Sequence, residues 1–422
     1  MEARTPSSLF ERWPGFAYRV AVTYGPSEEI LDRYADVLVN FALGSGFGIR
    51  TGDVVRITVG EEAKPMYVAL RNAVLRSGGT CLANYVPSGV TREGIELASH
   101  EQLSTFHRRY LRGLVATIDH HVSIVSTTDL RELEGVDPEK LMLARRASQP
   151  YRRWLDEKEA AGLYTWTLAL YGTTAMAKEA GMSLEDYWEQ IIHACYLDDP
   201  EPIERWREAI REQDRVKRRL DRLEIERLHI EADDVDLWVT LGAGRKWLGG
   251  RGRNIPSFEI FTSPDWRGTD GSVYFSEPLY RYGSLIKDVR LRFEKGEVVE
   301  ASAARNQDLL LKMIASDPGA RRVGEFSLTD GRFSRITRFM ADTLYDENRG
   351  GPEGNFHIAL GNAYKDAYAS DPATLSRRDW RGLGYNESSV HTDIVSTVRR
   401  QITADLPNGK TKLIYRDGQF TV

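Results

Sequence analysis

The sequence predicts an α/β N-terminal domain built on parallel-type βαβ units, followed by an α+β C-terminal domain with antiparallel sheet. Three observations carry this expectation. First, "GDVVRITVG" (52–60), "AKPMYVALRNAVLRSGG" (63–79) and "TCLANYV" (80–86) read as strand, helix and strand. A helical crossover returns the chain to the same end of the sheet, so the two strands run parallel. Second, "VRLRFEKGEVVEASA" (289–303) and "KTKLIYRDGQFTV" (410–422) read as strand–turn–strand, with Lys-Gly and Asp-Gly at the turns. Those pairs tolerate the positive φ of tight hairpins. Third, 422 residues are too many for one hydrophobic core, so two domains are the natural division.

The elements follow in order. "SEEILDRYADVLVNFAL" (27–43) has apolar residues at helical spacing. "LVATIDHHVSIVST" (114–127) adds strand, "EKLMLARRASQPYRRWLDEKEA" (139–160) a helix and "YTWTLALYG" (164–172) a further strand. "SLEDYWEQIIHACYL" (183–197) is a helix opened by Ser183, with Asp186 three residues on. Residues 201–228 form a charged helix, a solvated face with i,i+4 pairs rather than a nucleic-acid arm. The boundary is set at its end, giving domains 1–228 and 229–422. Beyond it, "LHIEADDVDLWVTL" (228–241) is another hairpin and "NQDLLLKMIAS" (306–316) a helix. A longer mixed segment lies near 332–344.

Hydrophobic content is 41%, charged content 28% and formal net charge −5, the balance of a globular chain with no requirement for nucleic acid or an anionic membrane as partner. Cys81 and Cys195 lack metal-type spacing. "MEARTPSSLFERWPGFAYRV" (1–20) has early acids and no apolar core of a secretory signal, and no run reaches the length of a membrane span. A cytoplasmic location is the expectation.

For chemistry, "GGPEGN" (350–355) and "GGRGRN" (249–254) lack the strand–glycine turn–helix context of a phosphate cradle. The carboxylates of "VGEEAKP" (59–65) would repel phosphate. His100, His107, His193 and His229, without evident acid partners, and the adjacent His120 and His121 read as structural histidines. His391 differs, because "NESSVHTDIV" (386–395) places Asp393 two residues on, on the same side of a strand. His357 lies 34 residues earlier, with Asp346 and Glu347 upstream of it. Glu259 in "IPSFEIFTSP" and Glu325 in "RRVGEFSL" are acids inside apolar stretches, positions that face water or hold an ion. Such a carboxylate-rich set with two histidines suits two divalent cations about 3.5–4 Å apart, a recurrent hydrolytic device. Tyr364, seven residues after His357, is positioned to donate a hydrogen bond to a developing oxyanion.

In this order, "GRKWLGGRGRNIPSFEIFTSP", "GEVVEASA", "GARRVGEFSL", "TLYDEN", "HIALGNAY" and "NESSVHTD" resemble the motifs of the thermophilic-type metal-dependent aminopeptidases. "AGMSLEDYWEQIIHACYLDDP" extends the resemblance into the N-terminal half. The resemblance implies Glu259, Glu325, His357, His391 and Asp393 as metal ligands and Glu347 as a further ligand. It places Tyr364 at the catalytic centre, and Glu325 is a candidate base as well as a ligand. It also implies two divalent ions (zinc, cobalt or manganese), short peptide substrates and a homodimer. The chain departs from the family pattern at "RGGPEGNF" between Asp-Glu-Asn and His357, at "IVSTVRR" after Asp393 and at "SFEIF" around Glu259. An alternative stays open: His357, His391 and Asp393 alone have the ligand composition of a mononuclear Fe(II) ring-cleaving dioxygenase of the dihydroxypyridine type.

Overall fold

The computed structural model describes residues 24–422 except 251, 282, 283 and 408. The N-terminal segment 1–20 discussed above lies outside the described residues.

Five strands form the parallel sheet, in the order Thr80–Val86, Val54–Gly60, His120–Val125, Thr165–Leu170 and Asn254–Ile255. The helix Lys64–Arg76 makes the first crossover, burying Met66, Leu70, Ala73 and Val74. The 27–43 helix begins at Glu28 with the Ser27 hydroxyl accepting from the Ile30 N–H, and its last turn widens to π geometry over Leu38–Ala42. Two expectations shift. The third strand starts only at His120, because residues 108–117 are still helical. The 139–160 helix is two helices, Pro138–Ala147 and Gln149–Ala160, meeting at Ser148. Pro150 has no N–H to continue the first helix and suits the opening turn of the second.

The charged helix runs Pro202–Asp221 and buries Trp206, Ala209, Val216 and Leu220 on one side. Its ion pairs (Arg205–Glu208, Arg215–Glu212, Lys217–Asp214) are spaced by three residues rather than four.

The second half is antiparallel. An eight-stranded sheet is ordered Glu297–Ser302, Val289–Glu294, Thr269–Phe275, Val235–Thr240, Arg227–Ala232, Gln401–Asp405, Thr411–Arg416 and Gln419–Phe420. All three predicted hairpins form; the Arg227–Ala232 and Val235–Thr240 strands pair directly, and the other two turn at Lys295-Gly296 and Asp417-Gly418, all four residues with positive φ. That is the backbone twist the strands require. A second, five-stranded sheet is ordered His391–Ser396, Asn355–Gly361, Val323–Thr329, Glu259–Thr262 and Leu248–Gly249.

One apolar core surrounds the parallel sheet and another lies between the two antiparallel sheets. Residues after 228 enter the first core: Ile255, Phe258, Ile336, Met340, Leu344 and Tyr345. Phe258 stacks on Trp206 with ring centroids 5.1 Å apart. Val216 and Leu220, before 228, enter the second.

Candidate metal centre

The five-stranded sheet owes its chemistry to period-two alternation. One face presents Ile260, Phe326, Leu328, Phe356, Ile358, Leu360 and Ile394 to the second core. The other presents Glu259, Glu325, His357, His391 and Asp393. Both central strands are buried along their whole length, Val323–Thr329 and Asn355–Gly361. Register aligns the site: Glu325 lies opposite Ala359, which lies opposite Asp393, so a small side chain separates two carboxylates. An irregularity between Val323 and Glu325 gives this strand one extra residue, a bulge of the kind that re-aims a side chain.

Two triads result. Glu259, Glu325 and His357 form one, and Glu325, His391 and Asp393 the other. His357 Nε2 is 3.4 Å from Glu259 Oε2 and 3.4 Å from Glu325 Oε1. His391 Nε2 is 3.3 Å from Glu325 Oε2 and 3.3 Å from Asp393 Oδ1. Bonds of about 2.0–2.1 Å to a tetrahedral cation put neighbouring ligand atoms roughly 3.3–3.4 Å apart, so these spacings match the edges of a coordination polyhedron. His357 is completely buried; its Nδ1 has no partner among the described residues, and its Nε2 meets the two glutamates at 3.4 Å without hydrogen-bond geometry. A buried imidazole without partners is costly unless something binds it. His391 Nδ1 lies 2.8 Å from the Asn362 carbonyl. Nδ1 therefore carries a proton and donates it, which leaves Nε2 as the atom that faces the carboxylates and that would bind a cation. The donor set fits divalent cations on these grounds.

Electrostatics agree. Burial raises the Glu259 carboxyl; His357 opposes this, and Glu325 and Asp393 reinforce it. His391 and His357 are held well above the usual imidazole range despite burial, His357 by Glu259 and Glu325, His391 by Asp393 and Glu325. Asp393 is lowered, against burial, by His391, His357 and Arg281. Several carboxylates in a dry pocket call for positive charge.

Glu347 falls outside both triads, but its carboxyl is raised well above the usual range by burial and then by Glu259 and Asp393. It follows the short helix Thr343–Asp346. Asn355 Nδ2 donates to the Glu347 carbonyl at 3.0 Å, and Asn348 Oδ1 accepts the Phe258 N–H beside Glu259. These two asparagines, which the sequence reading did not single out, tie the segment to two ligand strands. Asp346 belongs elsewhere: its carboxylate accepts from the Met340 N–H at 2.7 Å and the Asp342 N–H at 3.0 Å. The insert after Asn348 is packed, with Arg349 ion-paired to buried Glu277 and the Gly350 N–H donating to the Ile336 carbonyl.

Tyr364 covers the site. Its ring is 4.9 Å from the His391 ring and 5.6 Å from Phe261, and its N–H donates to Ser263 Oγ. Tyr364 is 41% exposed, so it lies at the mouth of the site, and its hydroxyl is held far above the ordinary phenol range by the desolvation of its inner side first and then by Glu325 and Asp393. It therefore stays a donor.

Other histidines have local partners, including acids the sequence did not reveal: His120 with Asp53, His193 with Asp198 and His229 with Asp236. His121 meets the Thr58 hydroxyl. His357, His391 and Asp393 do not form one tight triad among the described residues, since His357 clusters with the glutamates instead. The mononuclear iron alternative is therefore not supported.

Comparison with known proteins gives the same direction. Aminopeptidase T of Thermus thermophilus is 28% identical over 411 residues, covering 92% of this chain and 99% of that protein. Aminopeptidase PepS of Streptococcus thermophilus is 24% identical over 420 residues, covering 94% of this chain and 98% of that one. The structure of wild-type AmpT from Thermus thermophilus superposes with a TM-score of 0.79 at 25% identity, over 94% of this chain and 100% of that one. Residues 27–420 match the family described as thermophilic metalloprotease (M29), and the chain belongs to that family of metal-dependent peptide hydrolases.

Proposed function

We propose that the protein is an aminopeptidase that releases N-terminal residues from short peptides, using two divalent cations held by two triads that share Glu325. The observation that carries this reading is the division of the Glu325 carboxylate between His357 and His391. Near full-length similarity to proteins named aminopeptidase supports the reaction. Glu259 and His357 would hold one ion, His391 and Asp393 the other, with Glu325 common to both; zinc, cobalt and manganese all suit these donors. Bound there, the cations would acidify water and polarise a peptide carbonyl.

The remaining steps belong to side chains. Both Glu325 oxygens face histidine nitrogens, so Glu325 acts as the shared ligand. Glu347 lies outside both triads, and its burial beside Glu259 and Asp393 makes it a strong base once bound cations have ionised it; it would then accept the proton of the attacking water. The Tyr364 hydroxyl donates to the oxygen that becomes negative in the tetrahedral transition state.

The exposed Leu82, Tyr85, Val86 and Val90 along the edge of the parallel sheet support a homodimer. No helix among the described residues is long and apolar enough to cross a membrane.

The test is metal content per chain together with hydrolysis of aminoacyl anilides in added zinc, cobalt or manganese, run beside oxygen uptake with ferrous iron. Two metals per chain and amide cleavage support the reading. One metal per chain with iron-dependent oxygen uptake and no cleavage would sink it.

A further inference from the structure

Arg281 enters the account above only as a charge that acts on Asp393, and its surroundings are unusual. It ends the strand Leu279–Arg281 of a two-stranded ribbon and reaches the edge strand that carries His391 and Asp393. Its Nη2 donates to the His391 carbonyl at 2.8 Å. Its charge acts on the Asp393 carboxylate. Its Nε is buried and has no hydrogen-bond partner among the described residues. A guanidinium has five N–H groups in a fixed fork, and a buried one left unpaired costs free energy that a ligand acceptor would recover.

Capping the sheet edge explains Nη2, since an edge strand leaves carbonyls unpaired. It does not explain Nε, nor the choice of a permanent charge beside the centre. Charge balance does. Glu259, Glu325, Glu347 and Asp393 carry four negative charges when ionised, which two divalent cations would cancel; Arg281 then leaves the site net positive until an anion enters, hydroxide from the bound water or a carboxylate of the substrate. An anion close to the scissile bond would balance it. In a dipeptide, the α-carboxylate lies one residue from that bond. A carboxylate is also the group an arginine fork binds best.

We propose that Arg281 receives the C-terminal carboxylate of the substrate, so that the site prefers dipeptides to longer or C-terminally blocked peptides. This rests on the hydrolytic reading and narrows its substrate class.

The experiment compares leucylglycine with leucylglycine amide on the metal-loaded enzyme, in the wild type, Arg281→Lys and Arg281→Gln. Binding of the reduced-bond analogues of both compounds is measured alongside by calorimetry. In the wild type the free acid should lead in kcat/KM by about tenfold or more, through KM, and its analogue should bind correspondingly tighter. Arg281→Gln should bring both ratios close to one, and Arg281→Lys should restore part of them. Circular dichroism and metal content check that each variant is folded and loaded. Equal handling of acid and amide by the wild type overturns the proposal while leaving aminopeptidase activity intact, as does a ratio that survives in a folded, loaded Arg281→Gln. Cleavage of neither compound, or of an anilide, overturns the hydrolytic reading itself.

Discussion

Glu325 turns one carboxylate toward two histidines, Oε1 at 3.4 Å from His357 Nε2 and Oε2 at 3.3 Å from His391 Nε2. Loss of this residue should therefore cost more than loss of any ligand unique to one triad. In Glu325→Gln both cations should be lost or bound far more weakly. In Glu259→Gln and Asp393→Asn one should remain. Elemental analysis after dialysis reads the difference. Hydrolysis should be abolished in both Glu325→Gln and Glu259→Gln, so the number of retained cations is what separates them, with far-ultraviolet circular dichroism unchanged in Glu259→Gln. Full activity in Glu259→Gln would remove that residue from the site.

Tyr364→Phe removes only the hydroxyl and keeps the ring against His391 and Phe261. A lost oxyanion donor costs about 10²–10³ in kcat. The expected outcome is that drop with KM and metal content nearly unchanged; a change in KM alone would reassign the tyrosine to substrate binding.

Chelation should affect stability as well as activity. Ions that bind only the folded state stabilise it in proportion to their excess over Kd. Prolonged treatment with a chelator should lower Tm by several degrees, and adding back zinc or cobalt should reverse the loss. A Tm indifferent to chelation would mean that the five-stranded sheet holds together without the ions.

Two half-buried groups on different elements should bend the pH profile of stability in opposite senses. Burial, helped by Arg56, pushes His121 down to about 4. Between about 4 and the ordinary imidazole range the unfolded chain binds a proton that the folded chain does not, so stability falls as pH drops through that window. Burial pushes Asp342 up to about 6, against the N–H groups it accepts from. There the folded chain holds the extra proton, so stability falls as pH rises from about 4 to 6. Each effect is worth roughly 2–3 kcal/mol. Denaturant titrations between pH 4 and 6.5 should show, relative to the wild type, a steeper decline with rising pH for His121→Gln and a shift toward gain for Asp342→Asn.

The packed insert offers a stability test. Gly354 has φ +59, and a β-carbon there would lie 2.0 Å from Tyr415 Oη and 2.7 Å from the Thr329 carbonyl. Gly354→Ala should cost roughly 3 kcal/mol, read as a lower denaturant midpoint. A neutral effect would show that the insert moves aside freely.

How much of this was legible in the sequence depended on the range of the signal. The first βαβ unit and the two hairpins were plain, because strand alternation, Gly pairs and turn dipeptides are local. The acids at 259 and 325 stood out because their neighbours are apolar on both sides. The start of the strand at His120 was hidden, since "LVATI" suits helix and strand equally and only the packing of residues 108–117 decides. The break at Ser148 followed from Pro150, whose signal was present but outweighed by the helical composition around it. What could not be read was pairing. The sharing of Glu325 depends on registers set by three separate strands. The acid partners of His120, His193 and His229 arrive partly from distant sequence. Arg281 gave no local sign at all, because its importance comes from the strand edge it meets.

The alternation of the Val323–Thr329 and Asn355–Gly361 strands has one further consequence. Each of these strands is core on one side and reaction centre on the other. Deleting or inserting a single residue within either would exchange the two sides, driving carboxylates into the oily interior and phenylalanines toward the substrate. Such a change cannot be graded; it would remove folding and catalysis together. Differences in length between this chain and its relatives must then accumulate in the connections, and the glycine- and proline-rich stretch between Asn348 and His357 is the kind of place where they can.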